Sequence, residues 1–483
     1  MSNLRQPNLR QPNLHQAPSS DVSRRGFVRF LGLGAGVAVA GAGGVGLAPR
    51  AHAAAPAASL PALSSPADRN YWRAVQRLFM LDKKVLFMNV GTVGSPPEEV
   101  VATVDRVHRE VAIGAKSGYS DFADVRAVLA GGYGCDPDEV VVTHNTSDGM
   151  SKVLAGLGLR EGDEILTTNH EHAGGNAPMA MARDRYGVVI KRVEVPVGND
   201  QRAEDYVALF RAAITSRTKV MLFSAPTYKT GTMLPIAMLA KLAQEHGLTT
   251  LVDGAHIPGM MAYNFHELGV DFLAGSAAKW QCGPGGTGVL YIRNKVLSQY
   301  NPNPLPEFWP MISSSYPAEG GLPPRSSGSK ESYDIAKYLQ SVGNGSIAVM
   351  AGVKNVCEVW DRIGRGRIQD YVLGLSSHLK DLIVERWGVQ SLYSPKDDPR
   401  LVCALTSFNP FRDVNDVLDA KKSAAFVARL KDEYGIVIRN SNFPVIGSSA
   451  EHVPVRVSTH LFHQSEDVDR VVDAMWELSG KMA

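Results

Sequence analysis

The segment DFLAGSAAKWQCGPGGTGVLYIR, residues 271–293, holds a single lysine between two runs that read as buried strands, DFLAGSA (271–277) and GVLYIR (288–293). Lys279 has no acid within several residues, and its neighbours are small or apolar. An ammonium in such surroundings is costly unless it is paired, neutralised or used. The rest of the sequence decides among these.

The same strand pattern extends upstream through EVVVTH (139–144), EILTT (164–168), VVIKRVEV (188–195), KVMLFS (219–224) and TTLVDGA (249–255). Amphipathic helical stretches lie between most of these runs, for example MLPIAMLAKLAQEHG (233–247). Strands alternating with helices predict an α/β fold, a mainly parallel seven-stranded sheet covered on both faces. Polar residues cluster just after the strand ends, where open α/β sheets bind ligands.

Taken in order, those strand ends assemble a constellation. VVTHNTSDGMSKVL places Asn145, Thr146, Ser147 and Gly149 between a strand and a helix. Alone this is an ordinary N-cap, but hydroxyls and free amides at a helix start also make a phosphate site. LTTNHEHAGGN puts His170, Glu171 and His172 after the next strand. No third ligand group has convincing spacing, so no metal site is expected, whereas a flat imidazole beside a phosphate loop suits stacking on an aromatic ring. LVDGAHIPG ends a buried strand with Asp253, followed by His256. A buried acid there needs a cation, and a protonated pyridine nitrogen would be one. Ser276 and Lys279 follow the next strand. A phosphate loop, a stacking ring, a buried acid and a desolvated lysine together meet the needs of pyridoxal 5'-phosphate, with the lysine as Schiff-base partner and the acid protonating the ring nitrogen.

From about residue 85 to 475 the chain resembles the class V aminotransferase family of fold-type I pyridoxal-phosphate enzymes, and within it the isopenicillin N epimerase-like branch, with cysteine desulfurases more distant. NTSDG, HEHAGGN, VDGAH and KWQCGPGGTGVLY carry the resemblance. It implies that His172 stacks on the cofactor ring, Asp253 meets its nitrogen and His256 lies near its hydroxyl. It further implies that Thr146, Ser147 and Ser276 hold the phosphate and that Lys279 is the anchor. RSSGSKESY resembles the segment by which a neighbouring subunit completes the phosphate site through Ser329, which implies a homodimer. GIVIRNSN resembles the strand whose arginine, Arg439 here, grips the substrate carboxylate; in VPVRVSTHLFHQ, Arg456 reads as structural. Two departures stand out. Ala278 replaces the histidine that precedes the lysine in desulfurase-like relatives, and the loop NSNFPVIGSSAEH lacks their nucleophilic cysteine. Persulfide chemistry is therefore not expected.

The first sixteen residues repeat the unit NLRQP and read as a disordered extension. Arg24-Arg25 then precede an uncharged stretch from Phe30 to Pro49, in which seven of twenty residues are glycine, and Ala51-His52-Ala53 follows. The low hydrophobicity points to a cleaved twin-arginine export signal rather than an anchor, and hence to a periplasmic protein delivered by the export machinery. Cleavage after residue 53 removes six arginines and one aspartate and turns the net charge of +2 into −3. With no basic run, nucleic acid is not an expected partner. The four cysteines form no CxxC pair, so neither zinc nor a disulfide framework is indicated.

The expected organisation is signal and extension (1–53), linker (54–68), a large cofactor-binding domain (69–335) and a smaller C-terminal α/β domain (336–483). The smaller domain is read from LVCALTSF, a helix around 419–434, GIVIRN, VPVRVSTH and a final helix, SEDVDRVVDAMWEL. The expected activity is transformation, through an external aldimine, of an amino acid or peptide-linked amino group, a siderophore precursor among the candidates. Transaminase-type chemistry leads, with epimerisation or Cβ–X lyase chemistry as the enzymatic alternative and a non-catalytic cofactor-binding protein as the other.

Overall fold

Aliphatic and β-branched runs fold into the central sheet of the computed structural model, which describes residues 60–62, 64–65, 68–294, 299–311, 314, 334–444 and 450–483. The signal segment and Ser329 lie outside the described residues. The strands are β1 (Val140–Thr143), β2 (Glu164–Thr168), β3 (Val189–Val193), β4 (Thr218–Ser224), β5 (Thr249–Gly254), β6 (Phe272–Ser276) and β7 (Gly288–Ile292). They lie in the order β1-β7-β6-β5-β4-β2-β3. The inner strands β5, β6 and β7 are buried almost throughout, whereas β3, at the edge, is largely exposed. That difference follows from two covered faces inside and a free edge outside.

All neighbouring strands pair in parallel except β7, which runs antiparallel to both β6 and β1. A parallel return needs a crossover of a dozen or more residues, usually a helix. The connection 277–287 is short and contains no helix, so β7 comes straight back beside β6. Asp271 fixes this corner. Its buried carboxylate accepts from Arg293 Nε at 2.9 Å and from the Thr250 amide at 2.9 Å, tying β5 and β6 to the end of β7.

Helices Thr146–Gly156, Ala173–Tyr186, Ala203–Ala213 and Ile236–Glu245 connect the parallel strands. The helical region after the sheet divides into Ile347–Ile363 and Arg365–Trp387 at Gly364, whose φ of 99° is open to glycine at little cost. Beyond it, β8 (Leu405–Phe408), β9 (Arg439–Asn440) and β10 (Val455–Ser458) form an antiparallel sheet in the order β9-β10-β8. The helix Ala420–Tyr434 is capped by Asp419, which accepts two amide hydrogen bonds, and stops at Gly435 (φ 67°). Leu86–Phe87 pairs in parallel with Ile436–Val437, so the segment preceding the central sheet is stitched to the residues that lead into β9.

Candidate functional site

Register aligns the ends of the parallel strands. Ser224 pairs with Asp253 across β4 and β5, and Asp253 with Ala274 across β5 and β6. The turns after β1, β2, β4, β5 and β6 therefore open on the same edge of the sheet. They carry Thr146 and Ser147, His172, Tyr228, Asp253 with His256, and Lys279.

Asp253 is 4% exposed, and its Oδ1 accepts from the Ala255 amide at 3.1 Å. Burial raises its pKa, opposed by Lys279, that amide bond and His172. Lys279 is partly buried. Burial lowers its pKa to about 8, against the pull of Asp253 and with the help of Arg456 and Arg439. His172 is exposed and accepts from Gly174 N–H through Nδ1 at 3.0 Å, capping the helix Ala173–Tyr186. Its pKa is lowered chiefly by desolvation, with Asp253 opposing and Lys279, Arg439 and Arg456 adding. The ring of Tyr228 stands edge-on to it at 5.1 Å. Lys279, Asp253, His172 and Arg439 thus lie within electrostatic reach of one another, as does His256, which is 2% exposed.

The Asn145 side chain accepts from Asp148 N–H at 2.9 Å and caps the helix Thr146–Gly156. The Thr146 hydroxyl beside it is buried and has no hydrogen-bond partner among the described residues. A Cβ on Gly174 would collide with Ser147 Oγ, so the phosphate-type turn and the His172 turn are in contact. Ser276 pairs with Gly288, whose own Cβ would lie 2.7 Å from Thr143 Oγ1. These glycines let the first and last strand ends close on one another.

Arg439 pairs across the strands with Arg456, and neither has an acid at salt-bridge distance among the described residues. Arg439 Nη1 and Arg456 Nη2 both donate to Thr92 Oγ1 at 3.3 Å, and Arg456 Nη1 donates to the Tyr228 carbonyl at 3.0 Å. Arg456 is 1% exposed, and its Nε has no partner among the described residues. Burial first and then Arg439 lower its pKa to about 9. Reading Arg456 as structural is therefore corrected: it is a buried cation facing the site beside Arg439. Two like charges packed together favour an anion between them.

Sequence reasoning also missed Thr92, Tyr228 and the role of Glu171. Glu171 is buried behind His172, where its carboxyl accepts from Thr168 Oγ1 and Ser224 Oγ, each at 2.6 Å. Burial raises its pKa to about 7, the two hydroxyls oppose, and Asp253 adds to the rise. A hydroxyl on each neighbouring strand is the signal for a buried carboxyl, but it appears only once the strands are paired. Cys282 is fully buried and its thiol is pushed up by burial, which keeps the sulfur protonated and poorly nucleophilic.

The residues present fit pyridoxal 5'-phosphate. Among the described residues, Thr146 offers an unpartnered buried hydroxyl at a helix start, Asp253 a buried carboxyl without a hydrogen-bonded cation, and Lys279 an amine of lowered pKa beside it.

Residues 98–471 match the family model described as Aminotransferase class-V. The chain is similar to isopenicillin N epimerase of Streptomyces clavuligerus, with 26% identity over 423 residues, 85% of this chain and 99% of that protein. It is similar also to a probable cysteine desulfurase of Methanothermobacter thermautotrophicus, with 27% identity over 369 residues, 74% of this chain and 83% of that one. Among solved structures, the cystine C-S lyase C-DES in complex with cysteine persulfide superposes with a TM-score of 0.65 at 23% identity, covering 82% of this chain and 98% of that one. The apo cysteine desulfurase of Thermococcus onnurineus gives 0.62 at 22% identity, covering 85% and 98%. Together these establish the fold-type I α/β architecture.

Proposed function

The chain belongs to the aminotransferase class-V family, and we propose that it is a pyridoxal-phosphate enzyme transforming the amino group of a periplasmic amino acid or peptide-linked amine by transaminase-type chemistry. One observation carries this reading: a buried carboxyl and an amine of lowered pKa lie together beside two arginines that have no acid partner among the described residues.

The cofactor, when bound, supplies an electron sink for charge developing at the substrate Cα. Asp253 keeps a proton on the ring nitrogen, because a carboxylate in a buried site favours a cation beside it. Thr146, Ser147 and Ser276 would hold the phosphate at the strand ends. Lys279 anchors the cofactor and later moves the Cα proton. With a pKa of about 8, part of its population is unprotonated at neutral pH, the state a base needs. Arg439 and Arg456 hold the substrate carboxylate, replacing mutual repulsion by paired hydrogen bonds. His172 would lie against the ring.

Epimerisation is the second reading, supported by the similarity to isopenicillin N epimerase over nearly the whole of that protein. Persulfide desulfuration lacks its nucleophile, since burial pushes all four thiols up. A siderophore precursor remains within the proposed substrate class, and a homodimer completed through Ser329 within the proposed assembly, on the resemblance of RSSGSKESY alone.

The deciding experiment incubates the holoenzyme with amino acids and peptide amines in deuterated water. With a keto acid supplied as amino acceptor, a keto product together with Cα deuterium in the recovered substrate supports transamination, and deuterium with inversion at Cα and no keto product supports epimerisation. Absence of Cα exchange across both sets would refute catalysis by Lys279.

A further inference from the structure

Trp280 follows Lys279 in the turn after β6 and is fully buried. Its indole Nε1 donates to His256 Nδ1 at 2.9 Å, with the rings 6.4 Å apart and inclined at 73°. An indole nitrogen can only donate a hydrogen bond. The Nδ1 of His256 must therefore be the acceptor, with its lone pair engaged. A neutral imidazole whose Nδ1 accepts carries its single proton on Nε2, and an imidazolium, which donates from both nitrogens, would set two N–H groups against each other.

The turn that presents the indole is itself fixed. His460 Nε2 is 2.9 Å from the Trp280 carbonyl oxygen, and the Gly94 amide donates to the Ala278 carbonyl at 2.9 Å. A Cβ at Gly259 (φ 87°) would collide with the backbone at Trp280 and Gln281. The charged and titratable groups around His256 are Lys279, Arg456, His172 and Arg439, with the buried carboxyl of Asp253 three residues before it, and burial first, then Lys279, Arg456, His172 and Arg439, hold its pKa well below the ordinary value.

We infer that Trp280 is a positioning residue that commits His256 to the neutral, Nε2-protonated form. His256 then meets the cofactor's ring hydroxyl only as an N–H donor and takes no proton from the substrate, which leaves Lys279 as the base. The residue that anchors the cofactor and the residue that sets this donor are neighbours in one rigid turn, so both are placed by the same backbone. The inference deepens the cofactor assignment. The tautomer, however, is read equally in the cofactor-free protein, so its failure is distinguishable from failure of that assignment.

Nitrogen NMR of histidine-labelled protein, cofactor-free and loaded, with His256 assigned through His256→Gln, tests it directly. The expected result is one neutral His256 species protonated at Nε2, unchanged from about pH 6 to about pH 8. In Trp280→Phe, which keeps an aromatic ring but removes the donor, a second form protonated at Nδ1 should appear. Glutamine donates through its amide whatever the indole does. The double variant Trp280→Phe, His256→Gln should therefore match His256→Gln alone in cofactor absorbance and turnover, rather than show the two losses added. A wild-type His256 protonated at Nδ1 or charged would overturn the inference, as would additive losses. Should Trp280→Phe fail to fold, the wild-type tautomer still decides.

Discussion

Raising the pH should stabilise the cofactor-free protein through Lys279, and Lys279→Met should abolish that gain. Burial lowers the folded-state pKa of the amine from 10.5 to about 8. This corresponds to about 3 kcal/mol against the charged form, and partial exposure of the side chain screens it to about 2 kcal/mol. In the unfolded chain the amine titrates at its ordinary value. Between about pH 8 and 10.5 the unfolded state therefore binds more protons than the folded one, and stability rises with pH across that window. Methionine preserves length and apolar bulk without the charge. Urea unfolding of both cofactor-free proteins at pH 7 and pH 10 reads the effect as a change in the difference of midpoints multiplied by the common slope. A difference that is the same at both pH values would mean that Lys279 is not desolvated, and the account of its reactivity would fall with it.

Gly94→Ala should be poorly tolerated, because a Cβ there collides with the Lys279 carbonyl oxygen and lies 2.8 Å from Cys282 Sγ. Overpacking of about 1–3 kcal/mol is expected, seen as a lowered thermal midpoint and weakened cofactor retention, and wild-type values for both would contradict the tight turn. Asp253→Asn should keep the cofactor bound while turnover falls by about 10²–10³, the order lost when a single electrostatic stabiliser is removed; activity within a few-fold of wild type would reject the role given to the carboxylate. Replacing Arg24 and Arg25 with lysine should leave a soluble, active protein in the cytoplasm, checked by fractionation. Normal periplasmic amounts, or a mature protein beginning at Met1, would rule out twin-arginine export.

The seven sheet strands were legible to within a residue or two, because a strand buried on both faces shows as a short apolar run in any register, and the exposed edge strand β3 still shows in its β-branched residues. The turn residues His172, Asp253 and Lys279 were legible for a related reason: a titratable group at the end of a buried run is conspicuous locally. The antiparallel course of β7 was not anticipated, although the short connection 277–287 contains its cause.

What the sequence by itself determined is the strand content, the chemical type of each strand-end residue and, through them, the family. Tertiary structure alone decided which side chains from distant segments converge. Arg456 looks structural within VPVRVSTH and becomes part of the site only because it pairs with Arg439 and shares Thr92 Oγ1 with it. Glu171 gains its hydroxyl partners from Thr168 and Ser224 only when β2 and β4 pair, and His256 gains its tautomer only when Trp280 folds back against it. Burial preference is a property of each residue and its near neighbours, so it is written along the chain. Hydrogen-bond partnership and charge proximity depend on register across strands and turns, and those distances are fixed only once the whole chain has packed.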